Sequence, residues 1–269
     1  MKQTIAIINF KTPTLTEACI LSIRKQGCQW PVVVFDNSRE VTWPADEDLP
    51  ERTFKAQPFT KKMKGVRVID NTSGQIIDFG EILETFPGKT HAHAACNGWG
   101  SDIHMMTVDK LFDLLPDGFI LVESDLLLKA DITTLWNDDY SFCAYVQQHQ
   151  RGNRFDIGRI LPMLCYLNVP KFRAEGVRYF DPERSWMLHP NENDRRNWYD
   201  TGASLLEDVL SHRPRLKGLH VDIRPMVEHL GGGSYRKGLV AQAEWLKKHE
   251  ALWKPESKPR TAKRTNSKK

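Results

Sequence analysis

Two unbroken apolar runs, Ile5-Ala6-Ile7-Ile8 and Val32-Val33-Val34-Phe35, flank a segment with helical spacing, and no other feature constrains the fold as much. A strand with one wet face alternates apolar and polar residues. A run that is apolar at every position suits a strand buried on both faces, in a parallel sheet covered by helices. Between the two runs, Thr16 to Lys25 supplies Ala18, Leu21 and Ile23 to a helical face, with Thr14 or Thr16 as the cap. The second run ends in the turn-forming Asp36-Asn37-Ser38. Strand, helix, strand within about 35 residues predicts a parallel βαβ unit.

The rest of the chain continues in this manner. Strands are expected at 65–70, 119–122, 126–128, 142–146, 163–168 and 220–229. Helices are expected at 102–115, from Asp131, from Asp200 to about Ser211, and over 239–253. Residues 40–64 are polar and broken by proline, and read as loop. The fold class is therefore α/β, with a mixed, mainly parallel central sheet flanked by helices.

Charge separates the chain into two parts. The net charge is +4, but residues 254–269 hold seven Lys/Arg and one Glu, so residues 1–253 carry −2. A slightly acidic body argues against a folded basic surface for nucleic acid. The expected organisation is one domain over 1–253 and a disordered basic tail over 254–269. The tail suits peripheral contact with an anionic membrane or with nucleic acid. No apolar run approaches the roughly 18 residues of a membrane span. Five scattered cysteines without a C-x-x-C pair read as reduced core thiols of a cytoplasmic protein.

Three segments carry chemistry. In FILVESDLLL, Glu123 and Asp125 stand two positions apart at the end of an otherwise apolar run. On an extended strand they would face one way, into the crevice beyond the strand's carboxyl end where α/β proteins bind ligands. Two hard oxygen ligands there suit Mg²⁺ or Mn²⁺ on a diphosphate, and the plain alternative is a solvated acidic turn. In HLGGGSY, His229 precedes Gly231-Gly232-Gly233, which reads as a metal-ligand imidazole beside a phosphate-contacting loop, or as a hinge with a surface histidine. In WYDTGASLLEDVL, Asp200 fits a helix cap and also a general base facing a sugar hydroxyl, with Glu207 and Asp208 as rivals. Trp186, Trp198 and Tyr199 suit either stacking on acceptor sugars or loop packing. Arg151, Arg154 and Arg159 suit either an anionic ligand or solvent.

In this order the segments resemble the GT-A fold nucleotide-sugar glycosyltransferases, specifically the family 2 type. IAIINFKTPTLTEACILSI is similar to the family's opening strand, Asn-aromatic turn and first helix. VVVFDNS is similar to its second strand, SDIHMMTVDKL to its S-x-x-H-G helix start with Met105 in place of Gly, E-S-D to its D-x-D motif, and HLGGGS to its H-x-GGS. The resemblance spans about residues 3–236. It implies Asp125 and His229 as metal ligands, with Glu123, Asn9, Asp36 and His104 around the nucleotide and diphosphate. It implies Asp200, 29 residues before His229, as the base, with Glu207 and Asp208 as the alternative.

The implied reaction is inverting, metal-dependent transfer of a sugar from a nucleotide-diphosphate sugar, a UDP-sugar foremost. The acceptor would be a glycan or lipid-linked hydroxyl in polysaccharide biosynthesis, in the cytoplasm or at the inner membrane face. Three alternatives remain. One is a DNA-modifying glycosyltransferase that uses the tail. Another is a nucleotide-sugar-binding module without turnover. The third is a nucleotidyltransferase, disfavoured because NFKTPTLTE after the first strand lacks the glycines of a phosphate loop.

Overall fold

The structure, a computed structural model, describes residues 3–38, 40–43, 52–77, 99–147, 158–181, 201–231 and 238–255. Asp200, Trp186, Trp198, Tyr199, Arg151, Arg154, Cys96 and nearly all of the tail lie outside them.

The chain opens with the expected βαβ unit: β1 (Ile5–Asn9), α1 (Pro13–Lys25) and β2 (Val32–Asp36). Helix α1 starts three residues earlier than its apolar pattern suggested. Pro13 occupies the first helical turn, where its missing N–H costs nothing, and Thr12 takes the cap position. The supposed loop at 40–64 contains a small hairpin, β3 (Val41–Trp43) with β4 (Arg52–Phe54), too short to leave a periodic signal. Then follow β5 (Val66–Asp70), α2 (Trp99–Leu114), β6 (Phe119–Glu123) and β7 (Leu126–Leu128). Asp131 caps a 3₁₀ turn at Ile132–Leu135, its carboxylate accepting from the Thr133 backbone N–H.

The second half comprises β8 (Phe142–Gln147), β9 (Arg159–Leu167), α3 (Val169–Ala174), α4 (Ala203–Ser211), β10 (Gly218–His220), β11 (Val227–His229), α5 (Gly238–Lys248) and α6 (Glu250–Trp253). The single strand expected over 220–229 is thus two short strands separated by a 3₁₀ turn at Arg224–Met226, where Pro225 lacks the donor a ladder requires. The terminal helix is likewise two helices.

Among the described residues, seven strands form one sheet in the order β10-β8-β9-β6-β1-β2-β5. β5, β2, β1 and β6 pair in parallel, as do β8 and β10, while β9 runs antiparallel to both its neighbours. The unbroken apolar runs now have their reason. Ile5, Ile7, Val32, Val34, Ile120 and Val122 enter the core beneath α1, with Ile20 and Ile23. The alternate residues Ala6, Ile8, Phe35 and Leu121 enter the opposite core, with Val108, Leu111 and Phe112 of α2 and Leu205 and Val209 of α4. Each fully buried Val, Ile, Leu or Phe side chain among them contributes about 1.5–3 kcal/mol.

A separate two-stranded sheet pairs β7 with β11, setting Leu126 opposite His229. Among the described residues, no helix is long and apolar enough to cross a membrane.

Candidate functional site

The parallel register aligns the carboxyl ends of the central strands. Asn9 lies opposite Asp36, and Ile8 opposite Glu123, so β2, β1 and β6 present their last residues to one crevice edge. Glu123 and Asp125 do not share one extended strand, as their spacing suggested. Glu123 ends β6, Ser124 and Asp125 form a turn, and the chain resumes as β7. The two carboxylates nevertheless converge, because the turn folds back toward the β7–β11 pair.

That pair brings His229 in from more than a hundred residues away. Its Nε2 lies 3.4 Å from Asp125 Oδ1 and 3.7 Å from Glu123 Oε2. One ligand atom from each of the three residues falls within 4.8 Å of the others. The Leu230 N–H donates to the Asp125 carbonyl at 3.2 Å, which fixes the strand end carrying the imidazole. The Asp125 side chain is 9 % exposed and those of Glu123 and His229 27 %, so the cluster is largely buried with solvent access at Glu123 and His229. Two carboxylate oxygens and one imidazole nitrogen gathered this closely fit a divalent cation of the Mg²⁺ or Mn²⁺ kind.

The neighbouring residues form a buried polar network. Asn9 Nδ2 donates to Asp36 Oδ1 at 2.9 Å and to Ser38 Oγ at 2.8 Å, and its Oδ1 accepts from the Thr16 hydroxyl at 2.8 Å. Asp36 also accepts from the Ser38 and Phe59 backbone N–H groups. Asn9 is 0 % exposed and Asp36 1 %, so both visibly knit the crevice floor. Lys11 adopts φ 59°, a left-handed conformation that turns its N–H onto Ser38 Oγ at 2.7 Å. Such strain in a non-glycine residue concentrates where a loop serves a site. Thr12 Oγ1 lies 3.0 Å from Ser124 Oγ and so joins the cap of α1 to the turn between the two carboxylates.

His104 is not part of the carboxylate–imidazole cluster. It projects from α2 toward the start of α4, with Nδ1 3.3 Å from Thr201 Oγ1, which is itself 3.3 Å from the Tyr179 hydroxyl. Asp109, also on α2, anchors the segment carrying Tyr179 by accepting from its backbone N–H and from Arg178. Burial first, then the Cys165 thiol, pushes the Tyr179 hydroxyl pKa far up, so it stays a neutral hydrogen-bonding group. The network therefore fixes the chain one residue beyond Asp200. The cap of α4 is Gly202, not Asp200. Gly202 has φ +81°, and a Cβ there would lie 2.1 Å from the Ile160 carbonyl oxygen. Only glycine permits that approach. Glu207 and Asp208 project from the body of α4.

No motif marked Tyr179, Thr201, Thr12 or Ser124, because each acts through long-range contact. The clue available was local: Thr201-Gly202 opens a helix directly after the proposed base.

No protein-family model matches the chain, and no curated protein matches it by sequence. Among solved structures, the galactosyltransferase LgtC, in complex with donor and acceptor sugar analogues, superposes at TM-score 0.52 and 13 % identity, over 96 % of this chain and 98 % of that one. The glycosyltransferase GlyE of Streptococcus pneumoniae TIGR4 aligns at TM-score 0.42 and 11 % identity, over 96 % of this chain and 66 % of that one. Mouse xyloside xylosyltransferase 1 aligns at TM-score 0.43 and 11 % identity, over 82 % and 85 %. The central sheet and its flanking helices are those of the GT-A glycosyltransferase fold.

Proposed function

We propose that the chain is a metal-dependent glycosyltransferase that moves a sugar from a nucleotide-diphosphate donor, a UDP-sugar foremost, to an acceptor hydroxyl. The observation that carries this reading is the convergence of Glu123, Asp125 and His229 at the carboxyl edge of a GT-A sheet. Open α/β sheets bind their ligands at that edge.

Asp125, the most buried of the three, is the principal ligand, with His229 as a neutral imidazole donor and Glu123 on the more open side. A divalent cation held there supplies positive charge to the departing diphosphate. Asn9 and Asp36 shape the nucleotide side of the crevice through their buried network. His104 and Thr201 hold the start of α4, and we assign Asp200, directly before Thr201, as the base that takes the acceptor proton. Glu207 and Asp208 are the next candidates.

Direct displacement by the acceptor inverts the anomeric centre, and anomer-resolved NMR of the product reads that outcome. The acceptor proposed is a glycan or a lipid-linked sugar of polysaccharide synthesis. The four cysteines among the described residues, Cys19, Cys28, Cys143 and Cys165, are free thiols, which supports a reducing, cytoplasmic location.

The test is thermal shift and slow donor hydrolysis with a panel of nucleotide sugars, with and without Mn²⁺. A Mn²⁺-dependent response to at least one donor supports the reading. Donor binding without hydrolysis, in the presence of any acceptor tried, would favour a binding module, and the absence of any nucleotide response would end the proposal.

A further inference from the structure

We propose that a platform of Tyr145, Leu161, Met163, His220, Asp222 and Arg224, beside the Glu123–Asp125–His229 cluster, binds the sugar chain of an uncharged oligosaccharide acceptor. The acceptor role rests on the transferase reading; the binding of sugar by the platform does not.

The platform begins where β8 and β9 depart from regular pairing. Ala144 faces Cys165, but Val146 faces Ile160, so residues 161–164 of β9 bulge opposite Tyr145. Bulges re-aim side chains and are frequent beside binding sites. This one turns Leu161 and Met163 onto the same face of the sheet as Tyr145, the α1 side, where all three stay half-buried. The segment that follows β10 crosses this face, with Ile223 buried in the core and Arg224 exposed.

Strand register places the platform next to the carboxylate–imidazole cluster. Ala144 and Leu121 both face Cys165, so Tyr145 is level with Val122, two strands away, or about 10 Å. Val122 immediately precedes Glu123. Leu126, Leu128 and Val227 pack in the same core as Tyr145, so the β7–β11 pair, and His229 with it, lies on the platform's side of the sheet. Arg224 opens the turn that leads into β11 and stands five residues before His229, at most about 18 Å along the chain.

The polar side chains of the platform are held in place within the protein. Arg224 donates from Nε to Asp222 Oδ1 at 2.7 Å and from Nη2 to Asp222 Oδ2 at 2.8 Å, and its guanidinium lies 5.3 Å from the centre of the Tyr145 ring. His220 packs against the same ring at 5.0 Å, and its Nδ1 accepts from the Val146 N–H at 3.1 Å. With Nδ1 accepting, Nε2 is the donor of the imidazole, and Arg224 Nη1 has no partner among the described residues. The Arg224 side chain remains 72 % exposed and that of Asp222 44 %, so the pair is open to a ligand. A planar fork of donors and acceptors beside an apolar floor matches a sugar, whose vicinal hydroxyls surround an apolar face of C–H groups. The Asp222 carboxylate matches the Arg224 charge, which leaves the pair without net attraction for a polyanion and selects an uncharged chain. Side chains fixed in advance lower the ordering cost of binding.

The test is an array of gluco-, galacto- and manno-configured oligosaccharides, uncharged and uronate-containing, probed with the full chain with and without Mn²⁺ and UDP. Calorimetry on the best-bound sugar follows. The expected result is saturable binding of an uncharged sugar that is indifferent to salt, and tighter for a trisaccharide than for its terminal monosaccharide. Arg224→Ala should weaken that binding at least about tenfold, at unchanged Tm and unchanged nucleotide binding. Arg224→Lys should weaken it similarly, because lysine keeps the charge and loses the fork. Absence of binding to every sugar on the array, preference for the uronate-containing sugars, or an Arg224→Ala chain that binds like the parent overturns the proposal. A parent that binds a nucleoside diphosphate but no oligosaccharide loses the platform and keeps the transferase reading, and the converse result does the opposite.

Discussion

The imidazole of His229 stands 3.4 Å from the carboxylate of Asp125, and the β7–β11 pair creates that contact by setting His229 opposite Leu126. The His229 side chain, at the end of β11, is 27 % exposed and not part of the apolar core. Removal of the imidazole should therefore spare the fold and weaken cation binding. His229→Ala is expected to reduce Mn²⁺ affinity at least about tenfold, measured by calorimetry, with little change in urea midpoint.

The Asp36 carboxylate is expected to behave in the opposite way. It accepts from Asn9 Nδ2 and from two backbone N–H groups while 1 % exposed. Asp36→Ala leaves buried donors without partners, each costing about 1–3 kcal/mol. A destabilisation of about 3 kcal/mol in urea unfolding is expected, with Asp36→Asn intermediate. An alanine variant as stable as the parent would show that the network is not structural.

Gly202 allows a sharper test of the α4 cap. Alanine there meets both a left-handed backbone and the Ile160 carbonyl at 2.1 Å. The strain should cost about 2 kcal/mol or more, or displace the start of α4 away from His104. A Gly202→Ala chain that retains donor binding but loses transfer would tie this turn to the acceptor side.

The cysteines report on burial through pH. Burial pushes the Cys143 thiol up to about 11, and pushes Cys165 and Cys19 up further, with the Asp125 charge adding to the effect at Cys19. Because the folded value lies above the unfolded one, the contribution of Cys143 to stability is complete below the unfolded pKa near 9 and is lost as pH rises through about 11. Native protein at pH 8 should resist iodoacetamide at all three thiols, and peptide mapping should show full labelling after urea. Rapid native labelling of Cys165 would contradict the described core.

Much of the fold was legible because burial on both faces leaves unbroken apolar runs: Ile5 to Ile8, Val32 to Phe35 and Phe119 to Val122 each became a central strand. The β3–β4 hairpin and the divided β10 and β11 left no such trace, since three-residue strands carry too little periodicity. Glu123, Asp125 and His229 could be picked out because charged or imidazole groups interrupt apolar strand ends. The Thr12–Ser124 and His104–Thr201–Tyr179 contacts could not, because they depend on which loops meet in space. Spacing also misled in two respects. Glu123 and Asp125 converge through a turn, not along one strand, and Asp200 precedes the α4 cap without being it.

Asp125 is proposed to anchor a cation on which nucleotide binding depends. The most direct measurement is calorimetric titration of UDP and of other nucleoside diphosphates into the parent and Asp125→Ala chains, each with Mn²⁺ and with EDTA. Mn²⁺-dependent binding of at least one diphosphate to the parent is expected, with loss of that binding in Asp125→Ala at unchanged Tm. Equal binding by both chains, or binding indifferent to EDTA, would contradict it.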